Sequence, residues 1–239
     1  MNVYFDIILS FFTLTILEIV LGIDNLVFLA IISQKLPLAQ QKRARRIGLT
    51  LAWVTRLMLL ASAVWLVKLT TPLFSILDYH FSGRDLFLLA GGLFLLAKAT
   101  QEIHNELDPI PAQEKKPNTK KPSFNFVIAQ IAVLDIIFSL DSVLTAIGLT
   151  QRFWLMAAAI TIAIIVMMFA SEPLSRFVER HPSIKMLALS FLILIGMVLI
   201  ADSFQTHIPR GYIYFAMGFS LFVEMMNLYR HKRQKLKAP

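Results

Sequence analysis

Cysteine is absent from this 239-residue chain, and charge is sparse, with Lys, Arg, Asp and Glu making up only 16% of it. Without thiols there is no disulfide, no thiolate metal site and no cysteine nucleophile, so oxygen and imidazole are the strong ligands that remain. Acids are the scarcer charges, 15 Asp and Glu against 23 Lys and Arg. A chain that is 57% hydrophobic with so few charges does not make an ordinary soluble domain, and a membrane protein is expected.

Apolar segments can be read at residues 7–32, 49–67, 86–103, 124–150, 153–171, 186–201 and 211–229, most of them long enough to cross a hydrocarbon core ~30 Å thick. The third and sixth are short. The first has no basic leader and no small-residue cleavage site, and it carries two acids, so it is expected to stay in the mature protein. Lys and Arg fall on alternate connections: 17 lie after the first, third, fifth and seventh segments, and only Lys68, Arg84, Arg152 and Arg210 lie on the other side. The positive-inside rule then places the amino terminus outside and the carboxy terminus in the cytoplasm. The net charge of +8 is therefore a topology signal, and no nucleic-acid partner is expected. The stretch "NELDPIPAQEKKPNTKKPS" reads as a cytoplasmic linker.

The scarce acids are placed oddly. "LEIVLGIDNLVFLAI" (17–31) carries Glu18, Asp24 and Asn25 inside an apolar run, and "LDIIFSLDSVLTAIG" (134–148) repeats the pattern with Asp135, Asp141 and Ser142 at a constant offset of 117 residues. An ionised carboxylate at membrane depth costs roughly 2.5–3.5 kcal/mol on insertion scales, so an internal repeat with a functional reason is the economical reading. Each copy opens a group of three segments. Three crossings reverse direction, so the repeats are inverted, as in many secondary transporters whose site lies at the midplane between repeats.

The expected architecture is an all-α polytopic membrane protein of seven transmembrane helices. It consists of a first three-helix repeat over 1–104, a linker over 105–123, a second, inverted repeat over 124–207, and a seventh helix with a basic tail over 208–239. Residues six apart on an unbroken helix differ by about 240° around its axis, so Glu18 and Asp24 would not share a face. An unwinding at Gly22 is expected. Glu18 and Asp135 near the centre, with Asp24 and Asp141 toward opposite faces, then form a column of four carboxylates. With Asn25 and Ser142 they offer hard oxygen ligands suited to Mg²⁺, Mn²⁺ or Ca²⁺.

At these residues the sequence resembles the TerC family of bacterial inner-membrane proteins, in particular its short YgdQ-like branch. "EIVLGIDN", "DIIFSLDSV", "FVERHPSIKMLALSFLILIG" and "GYIYFAMGFSLFVEMMNL" carry the resemblance, which runs through nearly the whole chain. It implies a seven-span protein of the LysE-like transporter superfamily in the bacterial inner membrane. Members of the family are associated with manganese export and, by name, with tellurite resistance. Glu18 and Asp24 match the first family motif, and Asp135 and Asp141 the second. The expected function is divalent-cation transport, with Mn²⁺ efflux as its most specific form and protons as a possible exchange partner. Mn²⁺ is the substrate, and no cofactor is expected.

Plainer accounts stand beside this one. Protonated acids can serve as interhelical hydrogen-bond glue at ~0.6–2 kcal/mol per contact. Asn25 and Ser142 divide evenly between ligand and packing roles. Arg56, inside the second segment, needs an acid that the sequence does not name. Lys98 is expected to snorkel to the cytoplasmic interface. Glu224 is read as a partner of Arg56 or Lys98, or as a transport residue, the three forming a supporting charge network. Glu102 with His104, and Asp202 with His207, read as solvated helix ends, and Met167, Met168, Met225 and Met226 as packing. Paired intramembrane aspartates also describe an aspartyl protease, but here each acid has a second acid six residues away and the glycine-flanked aspartate of those enzymes is missing, so no enzyme is expected. A non-transporting membrane scaffold is the alternative.

Overall fold

The computed structural model describes residues 3–62, 70–76, 79–107, 122–149, 152–206 and 208–237. Seven helices account for nearly all of them: α1 (Val3–Ser33), α2 (Leu38–Ala61), α3 (Gly83–Leu107), α4 (Phe124–Leu149), α5 (Phe153–Arg180), α6 (Pro182–Ser203) and α7 (Arg210–Lys237). Five of these are long and apolar enough to cross a membrane, within Phe5–Ser33, Gly83–Leu107, Phe124–Leu144, Phe153–Arg180 and Pro182–Ser203. The other two, α2 and α7, are diluted by charge. α2 opens on Lys42, Arg43, Arg45 and Arg46 and carries Arg56 further along, and α7 closes on a basic run from Arg230.

The helices outrun the apolar windows read from the sequence because a helix need not stop where the hydrocarbon does. α2 begins at Leu38 rather than 49, and α5 runs on through Pro173 to Arg180. α6 starts with Pro182 in its first turn, where a missing N–H costs nothing. A short antiparallel hairpin, β1 (Pro72–Ile76) with β2 (Tyr79–Ser82), precedes α3 and was not anticipated. It rests on the end of α6, where Phe81 meets Phe204 edge-on and the Gln205 amide donates to the His80 carbonyl at 2.6 Å. Most of the expected linker, residues 108–121, lies outside the described residues, as do His207 and the far end of the second expected segment.

Helix pairing is regular. α3 lies along α6 and α1 along α5, with α2 against α4 and further contacts for α1 with α4, α2 with α5, α1 with α6 and α3 with α4. Exchanging α1, α2 and α3 for α4, α5 and α6 converts each of these pairings into itself or into another of them, whereas the α1–α2 and α5–α6 contacts have no counterpart of like extent. α7 sits outside the scheme, against α6.

Close approach is bought with small residues where pairing is tightest. A Cβ on Gly92 of α3 would lie 2.7 Å from the Gly196 carbonyl oxygen of α6, so the two backbones nearly touch there. Gly22 serves the α1–α5 contact in the same way, since a Cβ would fall 1.9 Å from the Met167 methyl. α1 is continuous through Gly22, and the expected unwinding does not occur. Gly22 is a notch for a neighbour. Outside the bundle, Trp154, Phe169 and Phe215 are 83%, 79% and 75% exposed, a surface suited to lipid rather than water.

Candidate functional site

The buried centre is built by three helices. α1 delivers Glu18, α2 delivers Thr55 and Arg56, and α4 delivers Asp135 and Ser139. Arg56 Nη1 donates to Glu18 Oε2 at 2.9 Å, and Nη2 donates to Asp135 Oδ1 at 3.1 Å. Glu18 and Arg56 are 1% and 2% exposed, so the pair is shut off from solvent. Asp135 Oδ2 takes up further donors, the hydroxyls of Thr55 at 3.1 Å and Ser139 at 3.2 Å. One guanidinium thus joins the two acids that occupy equivalent places in the repeated motifs. Its planar fork suits this task, because two parallel donors can be shared between separate carboxylates.

The partner of Arg56 is therefore neither Glu224 nor a single acid but Glu18 and Asp135 together. Glu224 lies half-buried on α7, in neither this group nor the Lys98 pair. Lys98 does not snorkel. It is buried and bonded to Glu102 one turn on, and Lys35 pairs with the same carboxylate, so Glu102 is a buried ion-pair acid rather than a solvated helix end. Near this end Lys42 reaches Glu172 at 3.1 Å and the Arg45 guanidinium reaches Ser175 Oγ at 3.3 Å, tying α2 to α5, while Lys185 pairs with Glu106 to tie α6 to α3.

The other predicted residues gather around a cavity of about 50 Å³, room for a few small groups, lined by Asp24, Asn25, Arg56 and Ser142 with Phe138 and Tyr214. Asp24 and Asn25 are half-buried and Ser142 is buried, its hydroxyl donating to the Ser139 carbonyl at 3.2 Å. Asp24 also edges a larger, mostly apolar cavity of about 300 Å³ between α1, α5, α6 and α7. Several polar atoms here have no hydrogen-bond partner: Glu18 Oε1, Arg56 Nε and both amide atoms of Asn25. Buried orphans of this kind are costly unless a ligand or water completes them.

Three of the four carboxylates of the expected column are described. Glu18 and Asp135 turn toward Arg56, while Asp24, six residues on along an unbroken helix, turns to the cavity wall. The side chain of Asp141 lies outside the described residues. Among the described residues no three His, Asp or Glu side chains converge as a ready-made metal cage. Thr55 was missed, although its place beside Arg56, an arginine inside an apolar segment, was a usable signal.

Buried charge from matching helices, a lipid-suited exterior and several spanning helices define a polytopic integral membrane protein. The chain belongs to the TerC family of integral membrane proteins, whose family model matches residues 4–237. It is 56% identical over 224 residues to the UPF0053 inner membrane protein YgdQ of Escherichia coli K12, covering 94% of this chain and 93% of that one. A UPF0053 protein of Haemophilus influenzae is 50% identical over 227 residues, 95% of each chain. The longer UPF0053 inner membrane protein YoaE of Escherichia coli K12 is 51% identical over 215 residues, 90% of this chain and 41% of that one. No solved structure matches the chain.

Proposed function

We propose that the protein is an inner-membrane transporter of divalent metal cations, with Mn²⁺ leaving the cytoplasm in exchange for protons. The observation that carries this reading is the convergence of Glu18 and Asp135, from equivalent places in two helices, on a buried centre beside a cavity. That cavity presents Asp24, Asn25 and Ser142, all hard oxygen donors. In this reading Arg56 is a tethered counter-charge. It bridges the two acids when no cation is present and gives way when one enters. The repeated acid motif supports two inverted repeats, and in this reading α2 and α7 complete seven spans, with the Lys and Arg distribution favouring an amino terminus outside. Manganese is the cation that the family resemblance points to, and proton exchange follows from carboxylates trading a proton for a metal.

A non-transporting scaffold is the second reading, and one observation favours it. Arg56 already satisfies both central acids, leaving no three-ligand cage among the described residues. Everted vesicles carrying the protein separate the two. Uptake of Mn²⁺, Mg²⁺, Ca²⁺ and Zn²⁺ is followed with and without a pH gradient, and the transporter reading expects Mn²⁺ accumulation that depends on the gradient. Flux of none of the four favours the scaffold.

A further inference from the structure

At the basic end of the bundle two ammonium groups share one carboxylate. Lys35, in the turn after α1, and Lys98, on α3, both pair with Glu102, the Lys98 contact measuring 3.0 Å. The side chains of Lys98 and Glu102 are 9% and 7% exposed, and that of Lys35 is 26% exposed. Lys98 Nζ also donates to Gln101 Oε1 at 3.3 Å. Among the described residues Glu102 is the acid found against either ammonium, so two positive charges face one negative. Burial lowers the Lys35 pKa, with the nearby Lys98 adding to the effect and Glu102 opposing it. A half-buried group with surplus positive charge is stabilised by a further anion.

The space for one is beside it. A cavity of about 690 Å³ is lined by Lys35, Lys98, Gln101 and Gln130 on its polar side and by Phe94 and Phe126 on its apolar side. It lies beside the turn after α1 and the start of α4, against the later turns of α3, and the end of the first span at Ser33 marks the depth at which hydrocarbon gives way to headgroups. Phe126 belongs to the first turn of α4, so the positive end of that helix adds to the field.

We propose that this cavity binds the phosphate of an anionic phospholipid headgroup. Lys35 and Lys98 supply its counter-charges, Gln101 and Gln130 its hydrogen bonds, and Phe94 and Phe126 a wall for the glycerol and the start of an acyl chain. The apolar half of the lining favours a lipid over a free phosphate, and basic pockets between spanning helices are a known form of lipid recognition. None of the residues involved belongs to the central acid group, so the assignment stands or falls apart from the transport reading.

The test uses the full chain, purified in detergent and exposed in separate arms to phosphatidylglycerol, phosphatidylcholine and inorganic phosphate. Lipid retained by the protein is read by native mass spectrometry and the melting temperature by circular dichroism. Phosphatidylglycerol is expected to be retained and to raise the melting temperature, with phosphatidylcholine and inorganic phosphate doing neither. Glu102→Gln, which removes the competing carboxylate, should increase phosphatidylglycerol retention several-fold, and Lys35→Gln should reduce it several-fold. Protection by inorganic phosphate alone would assign the cavity to a free anion and overturn the lipid. Equal retention of the two lipids would overturn the anion site. Loss of retention in Glu102→Gln as well as in Lys35→Gln would reduce the three residues to a structural ion pair. Should Glu102→Gln not fold, Lys35→Gln, altered at a partly exposed turn, decides alone: unchanged phosphatidylglycerol retention overturns the proposal.

Discussion

Arg56 holds Glu18 at 2.9 Å in the interior of the bundle, with each side chain only 2% exposed. Removing one partner of a buried pair leaves an uncompensated charge and costs about 3–5 kcal/mol, whereas removing all partners together can be nearly neutral. Arg56→Leu should therefore lower stability by about that amount. Arg56→Lys should recover only part of it, because a point charge cannot span two carboxylates as a guanidinium does. The triple variant Arg56→Leu, Glu18→Gln, Asp135→Asn should melt close to the parent. Thermal unfolding followed by circular dichroism in detergent checks all three, and an Arg56→Leu protein that melts like the parent would show that the bridge holds nothing.

Asp24 calls for the opposite expectation. Among the described residues no cation pairs with it, and it faces a cavity. Asp24→Asn should leave the metal-free protein no less stable, since an unpaired acid is gone. It should lower Mn²⁺ affinity and flux together. A ligand at a hundred times its dissociation constant stabilises by about 2.7 kcal/mol, and that gain should shrink in the variant. Glu18→Gln differs in kind, losing metal-free stability as well because Arg56 loses a partner. An Asp24→Asn protein that binds and moves Mn²⁺ like the parent removes Asp24 from the site.

The α3–α6 crossing is tested by adding one carbon. Gly92→Ala puts a Cβ 2.7 Å from the Gly196 carbonyl oxygen, a backbone atom that cannot swing away. Overpacking of this kind costs about 1–3 kcal/mol. Gly218 of α7 has nothing within 4 Å of its would-be Cβ. There Gly218→Ala should gain roughly 0.5–1 kcal/mol from helix propensity alone. The two melting temperatures should move in opposite directions.

Orientation can be read in whole cells, because the chain has no cysteine of its own. Pro37→Cys, at the exposed turn before α2, should stay unlabelled by a membrane-impermeant maleimide until the cells are opened. Thr206→Cys, exposed after α6, should label in intact cells. Labelling of Pro37→Cys from outside would invert the topology.

The acids announced themselves in the sequence because charge inside an apolar run is expensive, and their doubling at a fixed offset needed no structure to be seen. What brings them together was hidden. Arg56 is 38 residues from Glu18 and 79 from Asp135, and pairing across such separations depends on how α2 lies against α1 and α4. The expected break at Gly22 came from assuming that Glu18 and Asp24 act on one ligand from one face. The helix stays whole because the two acids serve different neighbours. Helix ends were read short because hydropathy marks hydrocarbon, and the hairpin at 72–82 was passed over because its short runs fall between apolar windows.

The acids of the motif recur after 117 residues, but the guanidinium does not: 117 residues after Arg56 stands Pro173, inside α5. That offset carries carboxylate onto carboxylate and the arginine onto a pyrrolidine ring. A buried positive charge belongs to α2, whereas the arginines of α5, Arg176 and Arg180, are exposed. The two copies of the motif therefore share one counter-charge that neither of them carries, and the helix that brings it is what makes the copies unequal.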